Sequence, residues 1–320
     1  MGNTVDNIMD SCSEIPEFTI IKGPNAAKLI LDSKDGAGEE LFATVFPGVT
    51  LGYIDIGASS CPDAAPAEER LLRINYCMSG RAEMKMDNGS YFYVQEKELT
   101  VSRSAEGAYY FPRGYYRGIV IYLDRRELGA GPERLFSRMG VDLDRLDGLA
   151  SGGNNAGVYR VSETQEVACA WLWRLRSEGE LCDLRLALLV LLRLLCRGVR
   201  QEQRGQFFTA EQVRVAKQAE ALLTGNLDRH IPVKALAEYF GVGGTALRKC
   251  FKGVYGRNIS DYVRTKRMLA AAVLLEEGDE PISEIAMRVG YTNQGKFAEA
   301  FRAQFGIAPS EYRRLRRRSR

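Results

Sequence analysis

The sequence predicts an α+β protein of two domains: an N-terminal β-barrel or jelly roll with helices, and a C-terminal all-α domain. Between about residues 40 and 124, short runs rich in Val, Ile, Tyr and Phe alternate with turn residues. From about residue 162 to residue 200 the apolar spacing becomes helical, and it stays helical after Phe208. A chain of 320 residues is long enough for two separate cores. We therefore expect domains at 1–200 and 208–320, with a polar linker at 201–207.

The N-terminal domain is predicted from its strand pattern. The expected strands are LFATVF, LGYIDIG, RLLRINYCM, AEMKM, SYFYV and GIVIYLD. Turn material such as Pro47-Gly48, Ser79-Gly80 and Asp87-Asn88-Gly89 separates them, which is typical of a small barrel or jelly roll. The later segment DLRLALLVLLRLLCRG has leucine on nearly every face. We expect this helix to be buried in the domain core or against a second subunit.

The C-terminal third contains an internal repeat with a period of 50 residues. LRKCFKGVYGRNISDYVR, from Leu247 to Arg264, returns as FAEAFRAQFGIAPSEYRR, from Phe297 to Arg314. The identical pairs are Phe251/Phe301, Gly256/Gly306, Ser260/Ser310, Tyr262/Tyr312 and Arg264/Arg314. A short helix and a glycine turn precede each copy, which is the helix-turn-helix pattern. The repeat predicts two copies of one binding element.

A single helix from Ile259 to Glu277 is expected to connect the two units. Asn258, with Asp261 three residues on, forms a capping arrangement at its start, and Gly278 ends it. A helix of this length spans roughly 28 Å. Successive major-groove segments on one face of B-DNA lie about 34 Å apart. The connector can therefore hold two recognition helices in consecutive grooves.

The charge is divided between the two domains. Residues 208–320 carry 20 Lys and Arg against 12 Asp and Glu, whereas the remaining residues carry 24 against 29. The last ten residues, EYRRLRRRSR, contain six arginines. A cationic domain on a mildly acidic body indicates a polyanionic partner for the C-terminal domain alone.

The groove-facing residues follow from the apolar face of each second helix. The first unit presents Gly244, Thr245, Arg248, Lys249 and Lys252. The second unit presents Asn293, Gln294, Gly295, Lys296, Glu299 and Arg302. Arg and Lys suit guanine, Gln suits adenine and Glu suits cytosine, but glycine offers no base contact. We expect double-stranded DNA as the partner, read mainly by the first unit. The alternative is an ordinary solvated face of a helical bundle.

Several other function classes are disfavoured. The seven cysteines are scattered without a CxxC pair, and His230 is the only histidine. This disfavours a disulfide framework, a zinc or cupin-type metal centre, and a histidine-based catalytic pair. We predict no catalytic residue, metal or cofactor. The N-terminus has no signal-peptide pattern, and the most apolar segment, Leu184 to Leu195, is too short for a membrane span. A cytoplasmic protein without a membrane partner is expected.

Residues Pro281 to Arg313, PISEIAMRVGYTNQGKFAEAFRAQFGIAPSEYR, closely resemble the signature of the AraC/XylS family of transcription regulators. The resemblance extends back to about Phe208. It implies a seven-helix DNA-binding domain with two helix-turn-helix units, and RNA polymerase as a further partner of an activator. The stretches NQGKF and FPRGYYRGIVIYLD also resemble the pyochelin-regulator-like branch of this family. That similarity implies a small-molecule effector.

The resemblance implies that the N-terminal domain binds an effector and dimerises. Candidate effector-binding residues are Arg73 and Asn75, which share a strand face with Cys77, and the aromatic residues Tyr110 and Tyr116. We expect the Arg73 face to meet water; the alternative is that it lines a ligand pocket. Two other functions stay open. One is an enzyme with a β-barrel catalytic domain and an accessory nucleic-acid module. The other is a ligand-independent regulator whose N-terminal domain only forms a homodimer.

Overall fold

The computed structural model describes residues 4–23, 25–62, 71–85, 88–103, 109–150, 156–201 and 207–318. Contacts between Cα atoms divide the chain into two compact units, Met1–Phe207 and Phe208–Arg320. Most of the expected linker lies outside the described residues, as does part of the expected turn at Asp87.

The N-terminal unit combines a large antiparallel sheet with helices. Its strands are β1 Phe18–Lys22, β2 Ala26–Ser33, β3 Gly36–Phe46, β4 Val49–Ala58, β5 Ser60–Cys61, β6 Leu72–Lys85, β7 Tyr91–Gln95, β8 Glu98–Ser102, β9 Tyr109–Tyr110, β10 Tyr116–Leu123, β11 Ala156–Arg160 and β12 Arg200–Gln201. Its helices are α1 Thr4–Cys12, α2 Arg125–Leu128, α3 Ala130–Arg138, α4 Leu143–Leu149, α5 Glu163–Glu178 and α6 Leu181–Arg197.

The strand order shows that distant parts of the chain pair in the middle of the sheet. The main path runs β1-β2-β3-β4-β10-β6-β8-β11-β12, while β7 pairs with β6 and β9 pairs with β5 and β6. Strand β10 lies between β4 and β6, so Val120 faces Gly52 on one side and Asn75 on the other. The expected β-rich region is confirmed as a large antiparallel sheet, and its closure into a barrel stays a prediction.

One expected turn is wrong. Ser79-Gly80 does not separate two strands, because β6 continues through it as one strand of 14 residues. The pairing of β6 with β10 shifts register between Arg117 and Gly118, which marks a bulge at this point. Gly80 has a φ of 97°, and a Cβ there would lie 2.4 Å from the carbonyl oxygen of Tyr115. The glycine therefore permits a bulge rather than a turn.

Several elements of the N-terminal unit were not expected from the sequence. Helix α1 and strands β1 and β2 precede residue 40, where the strand pattern was expected to begin, and β8 was also missed.

The sheet buries apolar side chains on both faces. On one face, Leu72, Ile74 and Tyr76 of β6 pack in a core with helices α3 to α6. On the other face, Cys77 joins residues from strands far apart in the sheet order, including Leu31 of β2 and Val94 of β7. The sheet therefore curves around this second core. The leucine-rich segment forms α6 and packs mainly into the first core, as the core alternative expected.

The C-terminal unit consists of helices. They are α7 Ala210–Thr224, α8 Val233–Tyr239, α9 Gly244–Tyr255, α10 Ile259–Glu277, α11 Ile282–Arg288, α12 Gln294–Phe305 and α13 Pro309–Arg318. The expected connector is confirmed, since α10 has the predicted bounds and the Asn258 side chain accepts a hydrogen bond from the Asp261 amide at 2.8 Å. In the ranges given above, no helix has the length and apolar character that crossing a bilayer requires.

Candidate functional site

The two helix-turn-helix units share one packing frame. In the first unit the Phe251 and Tyr262 rings lie 5.3 Å apart at 82°. In the second unit the equivalent rings, Phe301 and Tyr312, lie 5.3 Å apart at 79°. The helices that carry the rings thus pack through the same edge-to-face contact in both units. The duplication in the sequence is therefore a duplication of three-dimensional structure.

Helix α9 turns its apolar side inward and its basic side outward. Its buried positions are Leu247, Cys250, Phe251, Val254 and Tyr255. Its exposed positions include Thr245, Arg248, Lys249 and Lys252, and Gly244 is half-buried. The predicted face of the first unit is thus brought together on one side of a single helix, since these positions recur at helical spacing.

Helix α12 is the equivalent helix of the second unit. It buries Phe297 and Phe301. Its exposed positions include Gln294, Gly295, Lys296, Glu299 and Arg302, whereas Ala298 is half-buried. This face has one carboxylate and two basic side chains, and its second position is a glycine.

Asn293 has a structural task that the sequence interpretation did not assign. It is the N-cap of α12, and its Oδ1 accepts a hydrogen bond from the Lys296 amide at 2.9 Å. Helix α9 has Gly243 at its N-cap, without a side-chain hydrogen bond. The cap occupies one lone pair of Oδ1 and leaves the two N–H donors of the side-chain amide for a partner.

Arg267 on α10 forms hydrogen bonds with both helix-turn-helix units. Its guanidinium donates to the carbonyl oxygens of Gly290, at 3.3 Å, and Arg229, at 3.0 Å. Gly290 lies in the turn of the second unit, and Arg229 lies in the loop before α8 of the first. A Cβ at Gly290 would lie 2.5 Å from the carbonyl oxygen of Leu227, so the turn packs directly on that loop. Sequence spacing did not predict this contact, because the acceptors of the Arg267 side chain are main-chain oxygens, which every residue has.

The expectation that Arg73 and Asn75 face water is wrong. They are only 5% and 4% exposed, because the sheet curves and turns this face of β6 toward its second core. Arg73 donates a hydrogen bond to the Tyr109 hydroxyl and lies 5.4 Å from the Tyr122 ring centre. Buried polar groups require such partners.

Aromatic stacking completes this buried group. The Tyr109 and Phe111 rings are parallel within 3°, and the Phe111 and Tyr116 rings within 11° at 5.0 Å. The Tyr116 hydroxyl donates to Asn75 Oδ1 at 3.0 Å. We call the five residues Arg73, Asn75, Tyr109, Phe111 and Tyr116 the interior polar cluster. The structure thus brings three of the four effector candidates together.

Tyr110 is the fourth candidate, and it lies on the other side of its strand. It pairs in register with Ser60 and Glu83, and alternation along β9 directs its side chain away from that of Tyr109. Tyr109 takes the place that the sequence interpretation gave to Tyr110. With two adjacent tyrosines, the sequence alone could not fix which one faces inward.

Cys77, on the same strand face as Arg73 and Asn75, carries a thiol, which is a nucleophile that an enzyme could use. It is fully buried, and burial raises the pKa of its thiol to about 12. The nucleophilic form of cysteine is the thiolate, so Cys77 is protonated and unreactive near neutral pH. In the described part of the chain, no group of three or more His, Cys, Asp and Glu side chains is placed to hold a metal ion.

Comparison with known proteins bears on the C-terminal unit. Residues 236–315 match a family model described as a helix-turn-helix domain. Regulatory protein SoxS of Escherichia coli strain K12 is 36% identical over 93 residues, which cover 29% of this chain and 87% of SoxS. The right origin-binding protein of that strain is 35% identical over 92 residues, covering 29% of this chain and 32% of that protein.

This chain is also similar to a solved structure. The C-terminal domain of AraT, a response regulator from Geobacillus stearothermophilus, is 31% identical and covers 32% of this chain and 85% of that chain, with a TM-score of 0.31. The helix-turn-helix match begins in α8 and ends in α13, so it includes both α9 and α12. The identity to SoxS extends over most of that protein. The chain therefore belongs to the AraC/XylS family of DNA-binding transcription regulators.

Proposed function

We propose that this regulator binds double-stranded DNA in a sequence-specific manner, by placing α9 and α12 in successive major grooves of one duplex. The observation that carries the proposal is the pair of matching helix-turn-helix units joined by the 19 residues of α10. A helix of that length spans roughly 28 Å, close to the spacing of about 34 Å between successive major-groove segments. One chain then reads two adjacent groove segments.

The first unit supplies most of the base readout in this proposal. Arg248 and Lys249 are exposed on α9 and suit guanine O6 and N7. Thr245 suits a base edge or a thymine methyl group, and Lys252 lies one turn further along, where it suits a phosphate. Gly244, at the start of the helix, lets the main chain approach the DNA closely.

The second unit mainly positions the protein on the duplex. Gln294 suits adenine and Glu299 suits cytosine N4, but Gly295 has no side chain and Ala298 is half-buried. The remaining contacts proposed for this unit come from Asn293, Lys296 and Arg302. Asn293 already uses its Oδ1 to cap α12, which leaves it fewer ways to distinguish bases.

A binding experiment tests the proposal for DNA. Duplexes that the full-length protein selects from a random library are compared with scrambled duplexes of the same composition at physiological salt. We expect the selected duplexes to bind at least about a thousandfold more tightly, as is usual for specific recognition. They should contain two sequence elements about one helical turn apart. Equal affinity for selected and scrambled duplexes would rule out sequence-specific binding.

For the N-terminal unit we propose control by a small-molecule effector that contacts the interior polar cluster. Arg73 suits an acidic group, and the parallel rings of Tyr109, Phe111 and Tyr116 suit a planar group. A few polar groups in an otherwise apolar interior are what orients ligands in protein pockets. The proposal makes this unit a sensor rather than an enzyme or a domain that only dimerises.

Thermal unfolding of the full-length protein, screened against metabolites and siderophores, separates these functions. A saturable rise in melting temperature without conversion of the compound supports a sensor, and conversion supports an enzyme. The rise should be lost in Arg73→Lys, because lysine cannot form two parallel hydrogen bonds to an acid. Arg117→Lys is the matched control, because Arg117 forms an exposed ion pair with Asp55 on the neighbouring strand. No shift with any compound favours a domain that only dimerises.

We also propose that the protein forms a homodimer through α5 and α6. Val167 and Trp171 lie one turn apart on α5 and are 69% and 37% exposed, and Leu186 on α6 is 49% exposed. Sedimentation of the wild type and of Val167→Lys tests this, and a monomeric wild type would contradict it.

For an activator, RNA polymerase is the further partner. A promoter-reporter assay with and without the protein gives the direction of regulation.

A further inference from the structure

A cleft of about 250 Å³ opens between the two helix-turn-helix units. Arg229 and His230 line it from the loop before α8 of the first unit. Arg264 and Arg267 line it from α10, and Tyr291 lines it from the turn of the second unit. Both units therefore contribute to one concave surface.

The cleft is positively charged. Three arginines line it, and the described lining residues include no carboxylate. Arg267 uses two of its donors on the main-chain carbonyl oxygens of Arg229 and Gly290, and these neutral acceptors leave its positive charge in place. Ser260, in the first turn of α10, also lines the cleft, where the helix dipole adds partial positive charge.

The other two arginines keep donors for a ligand. Arg229 donates to the side-chain oxygen of Asn226, which is neutral. Arg264 pairs with Asp261 at 2.8 Å, but both side chains are largely exposed, and such pairs are weak. Because a guanidinium has five N–H donors, each of these arginines can bind a further acceptor.

We propose that this cleft holds a phosphate group of the DNA backbone, in the stretch of duplex between the two major-groove contacts. The inference rests on the proposed DNA binding and adds a third contact point to it. Guanidinium groups match phosphate geometry, and several of them around one cleft favour an anion with more than one oxygen acceptor, such as a phosphodiester. Because a backbone phosphate is the same at every base pair, the contact adds affinity and fixes position without reading sequence.

The position of the cleft gives this phosphate a second effect. Arg229 belongs to the first unit, Tyr291 belongs to the second, and Arg267 bonds to the main chain of both. A phosphate held here contacts residues of both helix-turn-helix units. It therefore favours duplexes on which the two recognition helices are engaged at the same time.

The test measures how DNA affinity depends on salt for Arg264→Gln in the full-length protein, with a duplex that the wild type selects. We expect affinity to fall roughly tenfold. The slope of log affinity against log salt concentration should become shallower by about 0.9. Arg214→Gln is the matched control, because Arg214 forms an exposed pair with Glu211 three residues away, as Arg264 does with Asp261. The control should keep the wild-type slope. A wild-type slope in Arg264→Gln overturns the proposal.

A second measurement identifies the phosphate. Neutral methylphosphonate linkages replace single phosphates between the two contact regions of the selected duplex. At one of these positions we expect the replacement to weaken the wild type and to leave Arg264→Gln nearly unaffected, since both changes remove the same interaction. Equal penalties in both proteins at every position overturn the proposal.

The source of the phosphate is tested without DNA. Added inorganic phosphate should change the melting temperatures of the wild type and of Arg264→Gln by the same amount. A saturable rise in the wild type that Arg264→Gln lacks would assign the cleft to a free anion and overturn the DNA assignment. Failure of the wild type to prefer any selected duplex would instead contradict the proposed function itself, so the two failures are distinguishable.

Discussion

Tyr262 on α10 donates a hydrogen bond to Glu220 on α7 at 2.8 Å. Its repeat partner, Tyr312 on α13, donates one to Glu276 on α10 at 2.6 Å. In each unit the bond joins the last helix to the first. Helix α10 thus ends one unit and begins the next, which makes the connector part of both packing frames.

Removing either hydroxyl should destabilise the C-terminal unit. We expect Tyr262→Phe and Tyr312→Phe each to lower the free energy of unfolding by about 1 kcal/mol, because each loses one partly buried hydrogen bond. Urea denaturation followed by far-ultraviolet circular dichroism measures the loss. Tyr239→Phe is the control, since Tyr239 is 73% exposed on α8. If all three variants unfold at the same urea concentration, the hydrogen bonds do not stabilise the frame.

A pair of glycines tests the packing of the second turn on the first unit. Gly290 and Gly306 have φ values of 77° and 78°, so alanine is similarly strained at both. At Gly290 the new Cβ would also meet the carbonyl oxygen of Leu227, whereas no described neighbour lies within 4 Å at Gly306. Gly290→Ala should therefore cost about 2 kcal/mol more than Gly306→Ala.

The same urea titration measures this difference, and the affinity for a selected duplex is determined alongside it. We expect Gly290→Ala to weaken DNA binding more than Gly306→Ala, because the turn that moves lies between the two recognition helices. Equal stability and equal affinity in the two variants would show that the second turn does not pack closely on the loop before α8.

Two buried thiols predict an alkaline loss of stability in the N-terminal unit. Burial raises the pKa of Cys77 and of Cys169 to about 12 in the folded state, against about 8.5 in the unfolded chain. Below about pH 8.5 both states hold the proton, and the stabilisation is fully present. As pH rises from there, only the unfolded state loses the proton. Stability then falls by up to about 1.4 kcal/mol per pH unit for each thiol.

Tryptophan fluorescence follows this unit selectively, because Trp171 and Trp173 both lie on α5. Urea unfolding in reducing buffer at several pH values between 8.5 and 10 gives the slope of the free energy of unfolding against pH. Cys77→Ala should make this slope shallower by up to about 1.4 kcal/mol per pH unit, which corresponds to one proton. Cys182→Ala is the matched control at an exposed cysteine. A slope unaffected by Cys77→Ala would mean that Cys77 is accessible to hydroxide in the folded protein.

The helices of the C-terminal unit could be predicted almost residue by residue. Their signals are local: helical spacing of Leu247, Cys250 and Phe251, a capping pair at Asn258 and Asp261, and glycines at the helix ends. Local signals of this kind survive in a single sequence because their partners lie within a few residues. The exposed polar sets on α9 and α12 follow from the same spacing.

For the N-terminal unit, only the fold class could be predicted from the sequence. Whether Arg73 meets water or the interior depends on how the sheet curves, which is set by strands far away in sequence. The Ser79-Gly80 bulge has the composition of a turn, and only its pairing with β10 shows that the strand continues. Likewise, the Arg267 bridge joins main-chain atoms, which carry no sequence signal.

The division of labour between α9 and α12 is tested most directly with Arg248→Ala and Gln294→Ala. Each full-length variant is titrated with the selected duplex and with every single-base variant of it. We expect Arg248→Ala to lose about 1–3 kcal/mol of discrimination at the base pairs read by the first unit. Gln294→Ala should lose less discrimination, and mainly at one base pair in the segment contacted by the second unit. Equal losses of base discrimination in the two variants would contradict the assignment of sequence reading to the first unit.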